Sequence, residues 1–454
     1  MAFWDFLTRL LQPSSRGEEE AGGAADVAAA TAAVEFAVMV TDFDNDSGAV
    51  ADSVAEALKS VRGLSVRRVG GGCGVVDDAE VLPTTLAEAT RLARRGGLSR
   101  SAHAVIFGQV QGTTVRLRFV PTVLEADSGF STLFPGDFLD LPWPFGERAD
   151  LIAACAVAAL SCTVEGARKH RLDRLRGLMS AADRQCQALA GGGPAHAAAS
   201  ASLCYAAMVA EIGFRQDEPE LLRQALEIIR AALAKGKDHL TSAQVAAARI
   251  RFGDIQLKFG ADDRSNDLLE EAAHHFRLAA DVFTLETFPE EYALLRAQAA
   301  RALHRLGASS GKTTVMKEAV QSYFDASKVW TKALYPDRWA EMQQGMGAVM
   351  SHLGEFSGNP EILGRACKIF EGAAEIWSKE KAPRRWAGLM NNIGACRFAQ
   401  GKRSGDLPVL REASDSFARA LEVYTALGMN RNVFVTQKNL ARVDRLISVQ
   451  EGRE

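Results

Sequence analysis

The chain has 454 residues, 47% of them hydrophobic and 24% charged, with a formal net charge of -3. That length exceeds what one hydrophobic core ordinarily serves, so two or more units or an extended array are expected, and the composition is too apolar for a disordered chain. Residues 1–150 carry 13 Lys+Arg against 21 Asp+Glu and the remainder 40 against 35; this lacks the concentrated basic face of a nucleic-acid binder, and no such partner is expected.

The chain opens on a short amphipathic peptide. Phe3, Trp4, Phe6, Leu7, Leu10 and Leu11 stand against Asp5, Thr8, Arg9 and Gln12, whose spacing puts them on the opposite side of a helix over residues 1–12. The polar face holds one Asp and one Arg where anionic lipid would favour lysines. Three destinations stay open for it: a partner's groove, this protein's own surface, and a membrane surface. Residues 13–33 are poor in bulky apolar groups and read as a flexible Ala/Gly/Glu-rich linker.

Residues 34–122 switch to alternating and β-branched segments, with strands expected at 35–41, 64–69, 103–110 and 113–120 and helices near 48–60 and 84–95. Gln111-Gly112 joins the last two strands as a hairpin, and the order makes a small α/β module. Asp42, Asp44 and Asp46 have the alternation of a calcium loop, but its glycine falls at Gly48 and Ser53 occupies the place of the closing Glu. A strand end capping the next helix is expected instead. Gly70-Gly-Gly-Cys-Gly74 has the composition of a phosphate cradle, yet no amphipathic helix opens after it, so it reads as a loop. Residues 123–147 read as an irregular connector.

From about residue 148 to 450 the chain repeats. Glycines stand at 166, 213, 260, 307, 354 and 401, each 47 residues from the last. Seven residues before each lies a small residue, in Ala159, Ala206, Gly253, Ala300, Gly347 and Gly394, with Ala441 extending the series. Ala225, Ala272, Ala319, Ala366 and Ala413 begin a third column. Ile229, Phe276, Tyr323, Phe370 and Phe417 follow it by four residues, and Ala232, Ala279, Ala326, Ala373 and Ala420 by seven. Ala, bulky, Ala at i, i+4 and i+7 is one face of a helix. The expected fold is mainly α: a solenoid of antiparallel helix pairs with a 47-residue period, six pairs and a terminal helix, preceded by the α/β module.

The unit Trp386, Asn391, Asn392, Ile393, Gly394, then Ala413, Phe417 and Ala420 resembles the two helices of a tetratricopeptide (TPR) repeat, here 47 residues long where that family has 34. Val38-Met-Val-Thr-Asp-Phe-Asp-Asn45, Gly63-Leu-Ser-Val66 and His103-Ala-Val-Ile-Phe-Gly-Gln-Val110 resemble the amino-terminal module of bacterial TolB-type TPR proteins, with His103 where that family has Asp. The resemblance implies a non-catalytic interaction or sensing module on a bacterial scaffold that binds one or more proteins.

The repeat register accounts for two distracting motifs. Leu151–Val164 is apolar for only 14 residues, below the roughly 20 of a membrane span, and reads as the first helix of the first pair. Gly307-Ala-Ser-Ser-Gly-Lys-Thr313 is one residue short of a P-loop, and Gly354 to Gly358 and Gly401 to Gly405 occupy the same place in later repeats, so it reads as a turn. No stretch approaches a spanning helix, and no secretory leader is read at the start.

Seven cysteines without a Cys-x-x-Cys pair suit a reducing compartment; a cytoplasmic protein, at most peripheral at the inner membrane through residues 1–12, is expected. The eight histidines form no metal-ligand spacing, and neither a nucleophile elbow nor a dinucleotide fingerprint is present. No enzyme, metal or cofactor is expected. First helices of a solenoid line its concave side. Counting from the small column, the side chains expected there are Arg301, His304, Arg305, Gln344, Asn391, Lys438, Arg442 and Arg445, a basic groove suited to an acidic peptide segment. The alternative is a regulatory subunit or sensor whose α/β module binds a small ligand.

Overall fold

The computed structural model describes residues 35–76, 81–123, 133–162, 164–236 and 238–452; the amphipathic peptide and the linker after it lie outside these. Fifteen α-helices and one five-stranded sheet occur among the described residues. They fall into two compact units, one holding the described residues up to Gln256 with His275–Phe288, the other Leu257–His274 with Pro289 onward.

The first unit begins with the sheet. Strands β1 (Phe36–Thr41), β2 (Leu64–Val69), β3 (Ala104–Gln111), β4 (Thr114–Pro121) and β5 (Leu139–Pro142) lie in the order β2-β1-β3-β4-β5. β1 runs parallel to β2 and β3, while β3, β4 and β5 are antiparallel neighbours. Helices α1 (Ala49–Lys59) and α2 (Leu82–Leu98) make the two crossovers. All six residues of β1 are buried, which is why it reads as an unbroken apolar run.

The first four strands match their expected spans to within a residue or so. β5 was not expected: it comes from the segment read as an irregular connector. Its four residues are too short to show a period, and Asp140 breaks the apolar run. In the fold that carboxylate is buried against Arg116, which meets it with two bonds of 2.8 Å. Next to it Asp137 is buried in an ion pair with Arg251.

Helices α3 (Ala149–Ala158) and α4 (Glu165–Gly192) follow, and here the expected register fails. α3 stops at Ala158, and Gly166 lies in the first turn of α4, where an added Cβ would meet nothing within 4 Å. Residues 151–160 are buried throughout and α3 packs against α1. The pair joins the two parts: α3 packs on the module, while α4 (Glu165–Gly192) packs on the next helix, Ala195–Arg215.

The ladder begins with α5 (Ala195–Arg215) and α6 (Pro219–Lys235). It continues as α7 (Ser242–Asp262) with α8 (Asn266–Ala280), α9 (Pro289–Ser310) with α10 (Thr313–Val329), α11 (Pro336–Ser357) with α12 (Pro360–Ile376), and α13 (Pro383–Ser404) with α14 (Leu407–Ala426). α15 (Asn430–Glu451) ends it. These consecutive packed pairs make a helical repeat solenoid. α5 has the length and hydropathy of a membrane span, contrary to the expectation that no stretch would, but 83% of that window is buried in the protein's own core.

Two columns close each pair. A Cβ on Gly347 would lie 2.8 Å from the ring of Phe370, and one on Gly354 would lie 2.9 Å from Leu363. Moving seven residues forward on the first helix moves seven back on the second, which is antiparallel packing. Gly394 and Gly401 repeat it against Phe417 and Leu410, and Gly253 and Gly260 against Phe276 and Leu269. The sequence reading found the aromatic column but not its mate: Leu222, Leu269, Met316, Leu363 and Leu410 are all buried, three residues before the alanine column.

Turn chemistry repeats as well. Asp217, Arg264, Gly311, Gly358 and Gly405, each 47 residues apart, all have positive φ between 54° and 71° where the first helix hands over to the second. Between pairs, Pro289, Pro336 and Pro383 open α9, α11 and α13, after the buried Phe283, Trp330 and Trp377. Arg338 stacks over Trp330 and Arg385 over Trp377, each at 4.7 Å, contacts worth about 0.5–1 kcal/mol apiece.

Three glycine substitutions separate these roles. Gly394→Ala forces a methyl 3.0 Å from Phe417 and lowers stability by about 1–2 kcal/mol despite better helix propensity. Gly405→Ala meets no atom within 4 Å yet costs about 1 kcal/mol through its φ of 71°. Gly177→Ala, inside α4 with open space around it, gains about 0.5–1 kcal/mol. Thermal unfolding followed by circular dichroism reads all three, and a gain for Gly394→Ala would contradict the close-approach account.

Candidate functional site

In an open α/β sheet ligands sit where the strand order reverses, beyond the carboxyl ends of the strands. Here that point lies between β1 and β3, and Asp42 to Asp44 leave β1 there. Asp44 bridges onto Gln109, its N–H donating to Gly108 O at 2.9 Å and its carbonyl accepting from Val110 N at 2.9 Å. The loop of residues 70–74 folds over this strand end. Gly71 N–H donates to Asp42 Oδ2 at 2.7 Å and Gly74 N–H to Asp44 Oδ2 at 3.0 Å.

Two motifs that looked like separate ligand sites are thus each other's partners. The N–H groups that could face a phosphate face carboxylates, and those carboxylates accept hydrogen bonds in place of a cation. The backbone bond from Gly71 is the largest cause holding the Asp42 carboxyl below its usual range, with Arg68 adding to it. Asp46 accepts from Val50 N at 3.0 Å in the first turn of α1, although the N-cap position itself is Gly48. His103 Nδ1 accepts from Ala37 N at 3.0 Å, so this side chain ties the start of β3 to β1.

The residues expected in the basic groove divide into three groups. His304 is buried, its Nε2 at 2.8 Å from Nδ1 of His352. Asn391 is buried too, its Oδ1 accepting from Thr436 Oγ1 at 3.3 Å. Both serve contacts between successive first helices and offer no side chain to an incoming peptide. Arg301 and Arg305 are half-buried and act on the buried Tyr323 hydroxyl, while Arg301 also donates to Gln298 at 2.6 Å. Burial lowers the Arg305 pKa, and Gln344 is half-buried on α11. Lys438, Arg442 and Arg445 stand exposed on α15. The docking residues Phe3, Trp4, Phe6, Leu7, Leu10 and Leu11 lie outside the described residues.

What the sequence reading missed is a line of buried polar contacts from one first helix to the next. His304 meets His352, Ser351 Oγ lies 2.7 Å from Cys396 Sγ, and Asn391 meets Thr436. Their separations of 48, 45 and 45 residues are off the 47-residue period, so no column search finds them.

No family model matches the sequence, and no curated protein matches it. Among solved structures the chain is similar to a circular tandem repeat protein with novel repeat topology and enhanced subunit contact surfaces, at 11% identity and a TM-score of 0.26, with 88% of this chain and 96% of that one covered. By its own geometry the chain is a helical repeat solenoid carrying a small five-stranded α/β module.

The histidine pair makes the second unit sensitive to acid. Burial lowers both pKa values, that of His352 to about 4, whereas an unfolded histidine titrates near 6.5. As pH falls below the ordinary histidine range the unfolded chain binds protons that the folded chain refuses, so stability declines, and the share due to His352 is complete once the pH is below about 4. The shift at His352 corresponds to roughly 3 kcal/mol. Denaturant titrations from pH 7 to 4 should show a steeper loss for the native chain than for His352→Gln; equal slopes would remove the pair as the cause.

Proposed function

We propose that the chain is a TPR-type scaffold that holds partner proteins on its helical solenoid, in the cytoplasm, with residues 1–12 docking a partner's groove. The observation that carries this reading is the ladder. Five successive pairs commit a small-residue column, a bulky apolar column and a Leu or Met column to packing at one fixed register. Stacked pairs built this way create extended surface, which is what such architectures use to bind.

Further support comes from the charges that survive folding. Lys438, Arg442 and Arg445 stand exposed on the last helix and suit charge-assisted bonds to an acidic peptide segment. All seven cysteines are free thiols and six are buried, which fits a reducing compartment. The reading assigns no catalytic residue, metal or cofactor. The sensor alternative loses the glycine loop as an anion cradle, because that loop is engaged with Asp42 and Asp44.

Affinity capture with the full chain, quantified by mass spectrometry, should recover a reproducible set of proteins. The triple variant Arg301→Ala, Arg305→Ala, Arg442→Ala, with its helical content checked by circular dichroism, should recover at least tenfold less of them. An unaltered set would remove the basic groove; no reproducible partner at all would overturn the scaffold reading.

A further inference from the structure

The two edges of the sheet are finished differently. At β5 the edge is closed: the Asp140 N–H donates to Ser200 Oγ of α5 at 3.0 Å, and Pro142 ends the strand. β2 is the outermost strand on the other side. Its six residues pair in unbroken register with β1, from Phe36 with Leu64 to Thr41 with Val69, without the proline or bulge that often protects an edge strand. The Phe36 N–H donates to Gly63 O at 3.0 Å, so every second residue from Gly63 onward turns its backbone groups to β1 and the residues between turn theirs outward. The N–H and C=O groups of Val66 and Arg68 and the C=O of Leu64 therefore line the open edge, and none of them has a partner among the described residues.

The side chains of β2 divide between the two faces of the sheet. Arg68 meets Asp52 of α1 on one face, which it shares with the half-buried Leu64 and Val66. Arg67 lies on the other and donates to Arg100 O at 3.1 Å, just beyond α2. Arg67 and Arg100 are exposed, as are Arg62 before the strand and Arg95 on α2. None of these four has a carboxylate partner among the described residues, whereas Arg176, Arg223 and Arg230 on later helices pair with Glu218, Glu220 and Glu227.

We propose that the open edge of β2 takes up an extended segment of a partner protein with carboxylates at alternate positions, adding a sixth strand to the sheet. The site lies on the α/β module and goes beyond the solenoid reading. The backbone dictates the shape of the occupant: an extended chain meets the row of outward groups through every second residue. The arginines dictate its charge. On one face of the added strand Asp or Glu side chains meet Arg67 and Arg100, and on the other β-branched residues lie beside Leu64 and Val66. A second copy of β2 would instead bring Arg67 and Arg68 of both strands to one seam, where like charges repel.

The test uses the full-length chain and a fluorescein-labelled octapeptide, Ser-Val-Glu-Val-Glu-Val-Glu-Ser, with a second peptide in which lysine replaces each glutamate. Fluorescence anisotropy at low salt should show saturable binding of the first, at least tenfold tighter than of the second. Arg67→Glu with Arg100→Glu should reverse that preference. Val66→Pro removes one outward N–H and no bond to β1, at an edge position where proline is tolerated; it should weaken binding at least tenfold while the circular dichroism spectrum stays native. Two further peptides carry backbone N-methyl groups, on the valines in one and on the glutamates in the other. An added strand bonds through alternate residues, so one of these should lose binding and the other keep it, a comparison that needs no change in the chain. Equal affinity of the two methylated peptides, or no saturable binding at millimolar peptide, would overturn the proposal. So would a dimer seen by light scattering that Val66→Pro abolishes, because it would assign the edge to a second copy.

Discussion

The solenoid depends on how closely two antiparallel helices can approach. At Gly347 and Gly354, and again at Gly394 and Gly401, the first helix has no side chain, and the ring of a phenylalanine and the branch of a leucine fill the space. A methyl group at any of these positions would sit at or within 3.0 Å of its neighbour, tighter than a packed core tolerates. The approach sets the distance between the helices of a pair. The positive-φ turn and the proline-opened junction set the path of the chain between helices, so one spacing recurs along the array.

With packing handled by apolar columns, the polar residues of the first helices take a different part. Buried side chains such as His304, Ser351 and Asn391 bond to the next first helix and fix one pair against its successor. A buried polar group without its partner is costly, so such bonds specify a single arrangement where apolar contact alone would tolerate several. The cost is sensitivity to protonation, concentrated at the histidine pair. The first unit follows the same logic with ion pairs: Asp137 with Arg251 of α7, Asp140 with Arg116 of β4 and Arg171 of α4 with Glu211 of α5 are buried and joined by hydrogen bonds. Removal of one member would strand a charge.

Two of the sites the sequence offered are taken up by these packing systems. In the α/β module the crevice at the strand switch is filled by Asp42, Asp44 and the glycine loop that caps them. Along the second unit, the expected groove residues His304 and Asn391 are taken up in holding helices together, and of the cations expected in the groove Lys438, Arg442 and Arg445 are exposed while Arg301 and Arg305 are half-buried.

The period, the antiparallel pairs from α5 onward, the turn at Gly311, Gly358 and Gly405, and four of the five strands are legible in the residues alone. Each of these is a local or strictly periodic property, fixed by which residues fit a helix face, a strand or a left-handed turn. Long-range packing placed Gly166 outside the glycine column, brought Asp137 and Asp140 to arginines on α7 and β4, and set Asp42 and Asp44 against the loop of residues 70–74. It also decided that His304 and Asn391 turn into helix contacts. Those outcomes depend on which side chains converge when distant elements pack. Contacts between successive first helices fall 45 or 48 residues apart because helix crossing, and not the repeat length, chooses the residue each side chain reaches.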